Sequence, residues 1–111
     1  MGVRAVCQRR RSPRFQEGNL ERNRQWVRAI EELARAKHCT AAQLALAWLL
    51  AQGRDIIPIP GTKRRQYLEE NLRSLELVLS AADLKRLDEV ARPGVVAGER
   101  YPAQAMQAVN R

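Results

Sequence analysis

The chain has 111 residues, which is room for one small domain. Hydrophobic residues make up 45% of it and charged residues 29%, as in soluble globular proteins. No apolar run approaches the ~20 residues that span a bilayer, and the opening residues hold no long apolar stretch. We therefore expect no membrane segment and no secretory signal, and we predict a cytoplasmic location.

The net charge of +8 lies mainly towards the amino-terminal end of the chain. Residues 1–28 carry eight arginines and two glutamates, whereas the remaining 83 residues carry 12 basic and 10 acidic side chains. A basic end of this kind attracts phosphates without sequence specificity, and that attraction weakens steeply with salt. The charge alone therefore indicates an anionic partner without identifying it.

The hydrophobic pattern predicts a mainly α chain with one short strand. Trp26, Ile30 and Leu33 recur at helical spacing, and the pair Thr40 and Gln43 forms a capping box before a second, almost wholly apolar helix. No second strand pattern is present to pair with the first, so its partners should lie elsewhere. The predicted elements are a basic loop or disordered segment over residues 1–18, helices over about 20–37, 41–52, 64–75 and 81–91, a strand over about 56–59, and a last helical turn after Pro102.

Few residues of the types that carry catalysis or bind metals are present. His38 is the only histidine, and it stands at a predicted helix end without a catalytic partner, so we assign it a structural role. Cys7 and Cys39 are far apart and fit no metal spacing, so we expect reduced thiols. We predict neither a catalytic nor a metal site in this chain.

The turn between the predicted strand and the third helix carries the strongest chemical signal. Gly61 and Thr62 are followed by three consecutive cations, Lys63, Arg64 and Arg65. Anions favour a helix start because its first N–H groups are free and its dipole is positive there, and a glycine lets a ligand approach the backbone. A phosphate fits this arrangement, although a solvated basic helix start has the same pattern.

The segment Ile59–Asn71 closely resembles the cofactor segment of bacterial NADP-dependent aldo-keto reductases. The resemblance extends over Cys39–Gly53, Leu79–Leu84 and Gly98–Pro102, and it covers roughly residues 12–111. That family folds as a (β/α)8 TIM barrel. The resemblance implies that this chain is a carboxy-terminal fragment of such a barrel, with its last strand, its last barrel helix and one helix outside the barrel.

The resemblance also implies a binding site for the 2′-phosphate of NADP(H). Gly61 would offer its backbone and Thr62 its hydroxyl to phosphate oxygens, and Lys63 or Arg64 would neutralise the phosphate charge. Charge-assisted hydrogen bonds are worth ~1.5–3 kcal/mol each, so two or three would distinguish NADP(H) from its unphosphorylated form.

The adenine of NADP(H) would be bound by the residues that follow. Tyr67 occupies a position whose side chain flanks the adenosine in relatives, while Glu70 and Asn71 would hydrogen-bond the edge of the base. A carboxylate accepts from the exocyclic amine of adenine, and an amide both donates and accepts.

The catalytic residues of that family, an Asp, Tyr, Lys and His tetrad in the first half of the barrel, have no counterpart in this sequence. The resemblance therefore implies a truncated reductase whose parent activity is NADPH-dependent reduction of aldehydes or ketones and which is inactive alone. Two alternatives stay open. One is a small phosphate- or NADP-binding module, which could also dock with a partner through exposed barrel surfaces. The other is a nonspecific nucleic-acid binder, although the apolar helix from Leu44 to Ala51 cannot read base edges specifically.

Overall fold

The computed structural model describes residues 8–16 and 18–109, and within them the chain is mostly helical and holds no β-strand. These residues divide into one compact unit over 28–92 and a second formed by the described parts of the two ends, up to Val27 and from Pro93. The α-helices are α1 (Asn19–Ala36), α2 (Ala41–Ala51), α3 (Arg65–Arg73), α4 (Ala81–Val90) and α5 (Ala103–Met106), and 3-10 turns lie at Gln8–Arg11, Pro13–Phe15 and Ser74–Glu76.

The two central helices begin at capping boxes. The Thr40 hydroxyl accepts from the Gln43 backbone N–H at 3.2 Å, and the Gln43 side chain accepts from the Thr40 backbone N–H at 3.0 Å. Ser80 and Asp83 repeat this exchange at the start of α4, at 3.1 and 2.9 Å. Each box satisfies two backbone donors that a helix start would otherwise leave unpaired.

The end of α1 is closed by a residue in the left-handed conformation, His38, with φ of +54°. The Cys39 N–H donates to the Ala34 carbonyl at 3.0 Å, and the His38 N–H donates to the Arg35 carbonyl at 3.1 Å. This pair of bonds is a Schellman motif, which usually places glycine at the left-handed position. His38 therefore turns the chain between α1 and α2, in keeping with the structural role expected for it.

The core of the 28–92 unit joins α1, α2 and α4. Leu33, Ala34, Leu44 and Leu87 are buried together, and Trp48 is among the half-buried side chains packed against them. The Trp48 indole N–H donates to the Asp88 carboxylate at 2.9 Å, which satisfies the polar end of an otherwise apolar ring. The apolar character of α2 is thus explained by its position between other helices.

The strand predicted over about 56–59 is not formed, because residues 56–62 take no regular structure. A strand needs a neighbour to exchange hydrogen bonds with, and the described residues supply none. Pro58 and Pro60 also lack backbone donors. Ile57 and Ile59 are 82% and 92% exposed, whereas Ile56 before them is half-buried, so the segment buries only part of its apolar surface.

The predicted loop or disordered segment over residues 1–18 lies partly outside the described residues. Its described part is held by Asn23 of α1, whose amide donates to the Arg14 and Ala97 carbonyls at 3.1 and 3.0 Å and accepts from the Ala97 N–H at 2.7 Å. Gly98 has φ of +86°, and a Cβ there would stand 2.8 Å from the Pro13 backbone. Only glycine fits that close approach.

None of the helices in the described part of the chain combines the length and the apolar character needed to cross a bilayer.

Candidate functional site: a groove at the start of α3

One open groove of about 880 Å³ brings together every residue for which the sequence predicts a cofactor contact. It lies in the 28–92 unit and is formed by the irregular segment before α3, by one side of α3 and by the first turn of α2. Its lining residues are Ala42, Gly61, Thr62, Lys63, Arg64, Tyr67, Glu70 and Asn71. Ala42 is the one member that the sequence did not indicate, because it joins the groove only through the packing of α2.

The start of α3 offers unpaired backbone donors to this groove. The Thr62 hydroxyl accepts from the Arg64 N–H at 3.4 Å and donates to the Arg64 carbonyl at 3.1 Å, which fixes the turn before the helix. Arg64 is the N-cap and makes no side-chain capping bond, so the first N–H groups of the helix are left for another acceptor. The helix dipole adds partial positive charge at the same place.

The two cations of the groove are exposed, and neither forms an ion pair with another residue of the described ranges. The Arg64 guanidinium carbon lies 6.0 Å from the centre of the Tyr67 ring, at the limit of a cation–π contact. Gly61 stands in open space, since a Cβ there would meet nothing within 4 Å. The end of the groove that is formed by Gly61, Lys63 and Arg64 is therefore positively charged and unobstructed.

The other end of the groove is held by contacts that the sequence does not reveal. The Thr40 hydroxyl donates to the Glu70 carboxylate at 2.8 Å, and the Gln43 amide donates to the Glu70 carbonyl at 2.8 Å. Both donors belong to the capping box of α2. Ser74 donates its hydroxyl to the Asn71 carbonyl at 2.6 Å and is buried, which fixes the backbone beside Asn71.

The reactive residue types outside the groove are not assembled into a second site. The described residues hold no group of three or more His, Cys, Asp or Glu side chains that could bind a metal. Cys39 is a half-buried free thiol, and burial raises its pKa, partly offset by the Lys37 charge. A raised pKa disfavours the thiolate, so this cysteine is a poor nucleophile. Cys7 lies outside the described residues.

Comparison with known proteins gives one consistent family. The model of the Aldo/keto reductase family matches residues 4–92. The chain is 50% identical over 97 residues to the aldo-keto reductase yakc [NADP(+)] of Schizosaccharomyces pombe, covering 87% of this chain and 28% of that protein. It is 47% identical over 89 residues to the probable aldo-keto reductase 1 of Glycine max, covering 80% of this chain and 26% of that protein. The chain thus spans little more than a quarter of the length of these relatives.

Proposed function

Because this chain belongs to the aldo/keto reductase family, we propose that its groove at the start of α3 binds the adenosine 2′-phosphate end of NADP(H). The observation that carries the proposal is the convergence of all seven residues expected to contact the cofactor on one open groove. The relative from Schizosaccharomyces pombe, whose name specifies NADP(+), supports the choice of cofactor.

The charge distribution of the groove fits a phosphate monoester at one end. Lys63 and Arg64 are exposed cations without ion-pair partners among the described residues. The free N–H groups at the start of α3 and the positive end of its helix dipole lie in the same region. A 2′-phosphate bound there would accept charge-assisted hydrogen bonds, each worth ~1.5–3 kcal/mol. This end of the groove would therefore bind NADP(H) more tightly than NAD(H).

The other end of the groove fits adenine. The Glu70 carboxylate can accept from the exocyclic amine, since the Thr40 hydroxyl occupies only part of its acceptor capacity. The half-buried Asn71 amide makes no hydrogen bond to another described residue, so it can both donate to the base and accept from it. Tyr67 also lines the groove, and we expect its ring to flank the adenosine.

For the whole protein we propose NADPH-dependent reduction of aldehydes or ketones, in a (β/α)8 barrel to which this chain contributes α3 and its preceding segment. When bound, NADPH supplies the hydride for that reduction. The residues of this chain hold the cofactor at the end remote from the hydride, so their contribution is affinity and cofactor choice. We expect this chain by itself to reduce no carbonyl substrate.

Titration of the full chain with NADPH and NADH tests the proposal. NADPH should bind at least about tenfold more tightly than NADH, because NADH lacks the hydrogen bonds of the 2′-phosphate, which together are worth more than ~1.4 kcal/mol. The double variant Lys63→Ala, Arg64→Ala should lose most of this preference, with the NADH affinity nearly unchanged.

The matched control is Lys85→Ala, Arg86→Ala, which removes the same two charges from the exposed side of α4. It should keep the preference for NADPH, because the charges that it removes lie outside the groove. Equal binding of NADPH and NADH by the unaltered chain, or loss of the preference in the control, would show that no specific 2′-phosphate site exists.

A further inference from the structure

Among the described residues, Glu70 alone lines both the groove and a second cavity of about 550 Å³. That second cavity is lined by the turn between α1 and α2 and by the far side of α3, and it contains Thr40 and Gln43. Both of these residues hydrogen-bond Glu70, one at the carboxylate and one at the backbone. Glu70 therefore borders both cavities, and its two hydrogen-bond partners at the start of α2 line the second one.

Each of these two contacts restricts a different part of Glu70. The Thr40 bond, at 2.8 Å, removes rotamer freedom from a carboxylate on a half-buried side chain. The Gln43 bond satisfies one of the last four carbonyls of α3, for which the helix itself has no donor. Gln43 is 7% exposed, so its amide is well ordered and sets the register of α3 against α2.

We infer that Thr40 is a positioning residue that orients the Glu70 carboxylate, on a backbone fixed by Gln43, towards the base and so sets a preference of the groove for adenine. The inference rests on the proposed function of the groove. The base is recognised by its exocyclic amine, which donates to Glu70, so a purine with a carbonyl oxygen at that position is disfavoured. A carboxylate that is already ordered loses less conformational freedom when the amine binds it.

Adenosine 2′,5′-bisphosphate and its inosine counterpart test this inference on the full chain, because they share the sugar and both phosphates and differ only at the base edge, where inosine has a carbonyl oxygen in place of the amine and a proton on N1. The adenosine compound should bind more tightly to the unaltered chain. Thr40→Val should reduce the ratio of the two affinities by about three- to tenfold, because the Glu70 carboxylate is then no longer held in place for its charge-assisted hydrogen bond to the amine. Thr40→Ser keeps the hydroxyl and should restore the ratio.

A second substitution separates this role from simple helix capping. Ser80→Ala removes the equivalent capping hydroxyl from α4, and it should lower stability while leaving the affinity ratio unchanged. In a Glu70→Gln background, Thr40→Val should have no further effect on the ratio, since the carboxylate that it orients is gone.

The possible failures are distinguishable. If the unaltered chain binds neither nucleotide, the proposed function and the inference fall together. If it binds both nucleotides equally well, or if Thr40→Val keeps the adenine preference, the groove remains a phosphate site and the positioning role of Thr40 is wrong.

Discussion

At the scale of single residues, His38 shows how one backbone conformation decides a role. The only histidine of the sequence takes φ of +54° and completes a Schellman motif at the end of α1. The left-handed conformation costs a residue with a Cβ about 1–2 kcal/mol relative to the right-handed one. The sequence indicated a helix end here, but the conformation could not be read because glycine and asparagine, the usual residues, are absent.

We predict that His38→Gly stabilises the 28–92 unit by about 0.5–1 kcal/mol, after the greater freedom of glycine in the unfolded chain is subtracted. Thermal unfolding of the full chain measures the change. His38→Ala is the control, because it removes the imidazole and keeps the Cβ, and it should bring no gain. A loss of stability in His38→Gly would mean that the imidazole itself makes a contact of value.

At the scale of elements, the sequence predicts the parts that depend on near neighbours. The capping box of Thr40 can be predicted because its partner Gln43 is only three residues away, and Ser80 forms the same arrangement with Asp83. The further hydrogen bonds of Thr40 and Gln43 to Glu70 span 30 and 27 residues, so no local sequence pattern predicts them. The predicted strand fails for the same reason, since it depends on partners outside its own segment.

The start of α4 also carries an ion pair between Asp83 and Lys37, the residue that follows α1. The hydrogen bond from Lys37 lowers the pKa of Asp83 from 3.8 to about 2, with smaller contributions from the Ser80 N–H and hydroxyl. A lowered pKa means that the charged form is favoured by folding. The stabilisation is therefore complete above pH 3.8 and is lost as the pH falls towards 2.

We predict that Lys37→Gln raises the pKa of Asp83 from about 2 towards 3.8 without reaching it, because the Ser80 bonds remain. Titration of the Asp83 carboxyl carbon by NMR measures this directly. Ser80→Ala should raise the pKa by less, and Asp83→Asn should remove the part of the acid destabilisation that falls between these pH values. An unchanged Asp83 titration in Lys37→Gln would contradict the ion pair.

At the scale of the whole molecule, the apolar side chains of α3 and of the 3-10 turn after it are largely exposed. Leu68, Leu72 and Leu75 recur at helical spacing as an inward stripe would, yet they are 48%, 56% and 69% exposed. Val78 beyond them is 83% exposed. Contiguous apolar patches of this kind mark surfaces that associate with other protein. Within the described residues, about half or more of each of these leucines therefore remains exposed.

We predict that the chain on its own associates at micromolar concentrations, and that Leu72→Lys combined with Leu75→Lys shifts it towards monomer. Each change replaces an exposed apolar side chain, whose burial on association contributes about 25 cal/mol per Å², with a charged one. Sedimentation velocity at two concentrations measures the shift. Ala45→Lys, at an exposed position of α2, adds a charge without touching the stripe and should leave association as it was. Equal effects of both variants would indicate charge repulsion alone.

The hydrogen bond between the Gln43 amide and the Glu70 carbonyl also has a kinetic consequence. It joins residues 27 apart, with the irregular stretch over 56–62 between them. Bringing the two helices together therefore requires closure of a loop whose middle gains no regular hydrogen bonds in return, and loop closure of this kind slows folding more than it weakens the folded state. We therefore expect the docking of α3 on α2, and with it the assembly of the groove, to follow the formation of the separate helices.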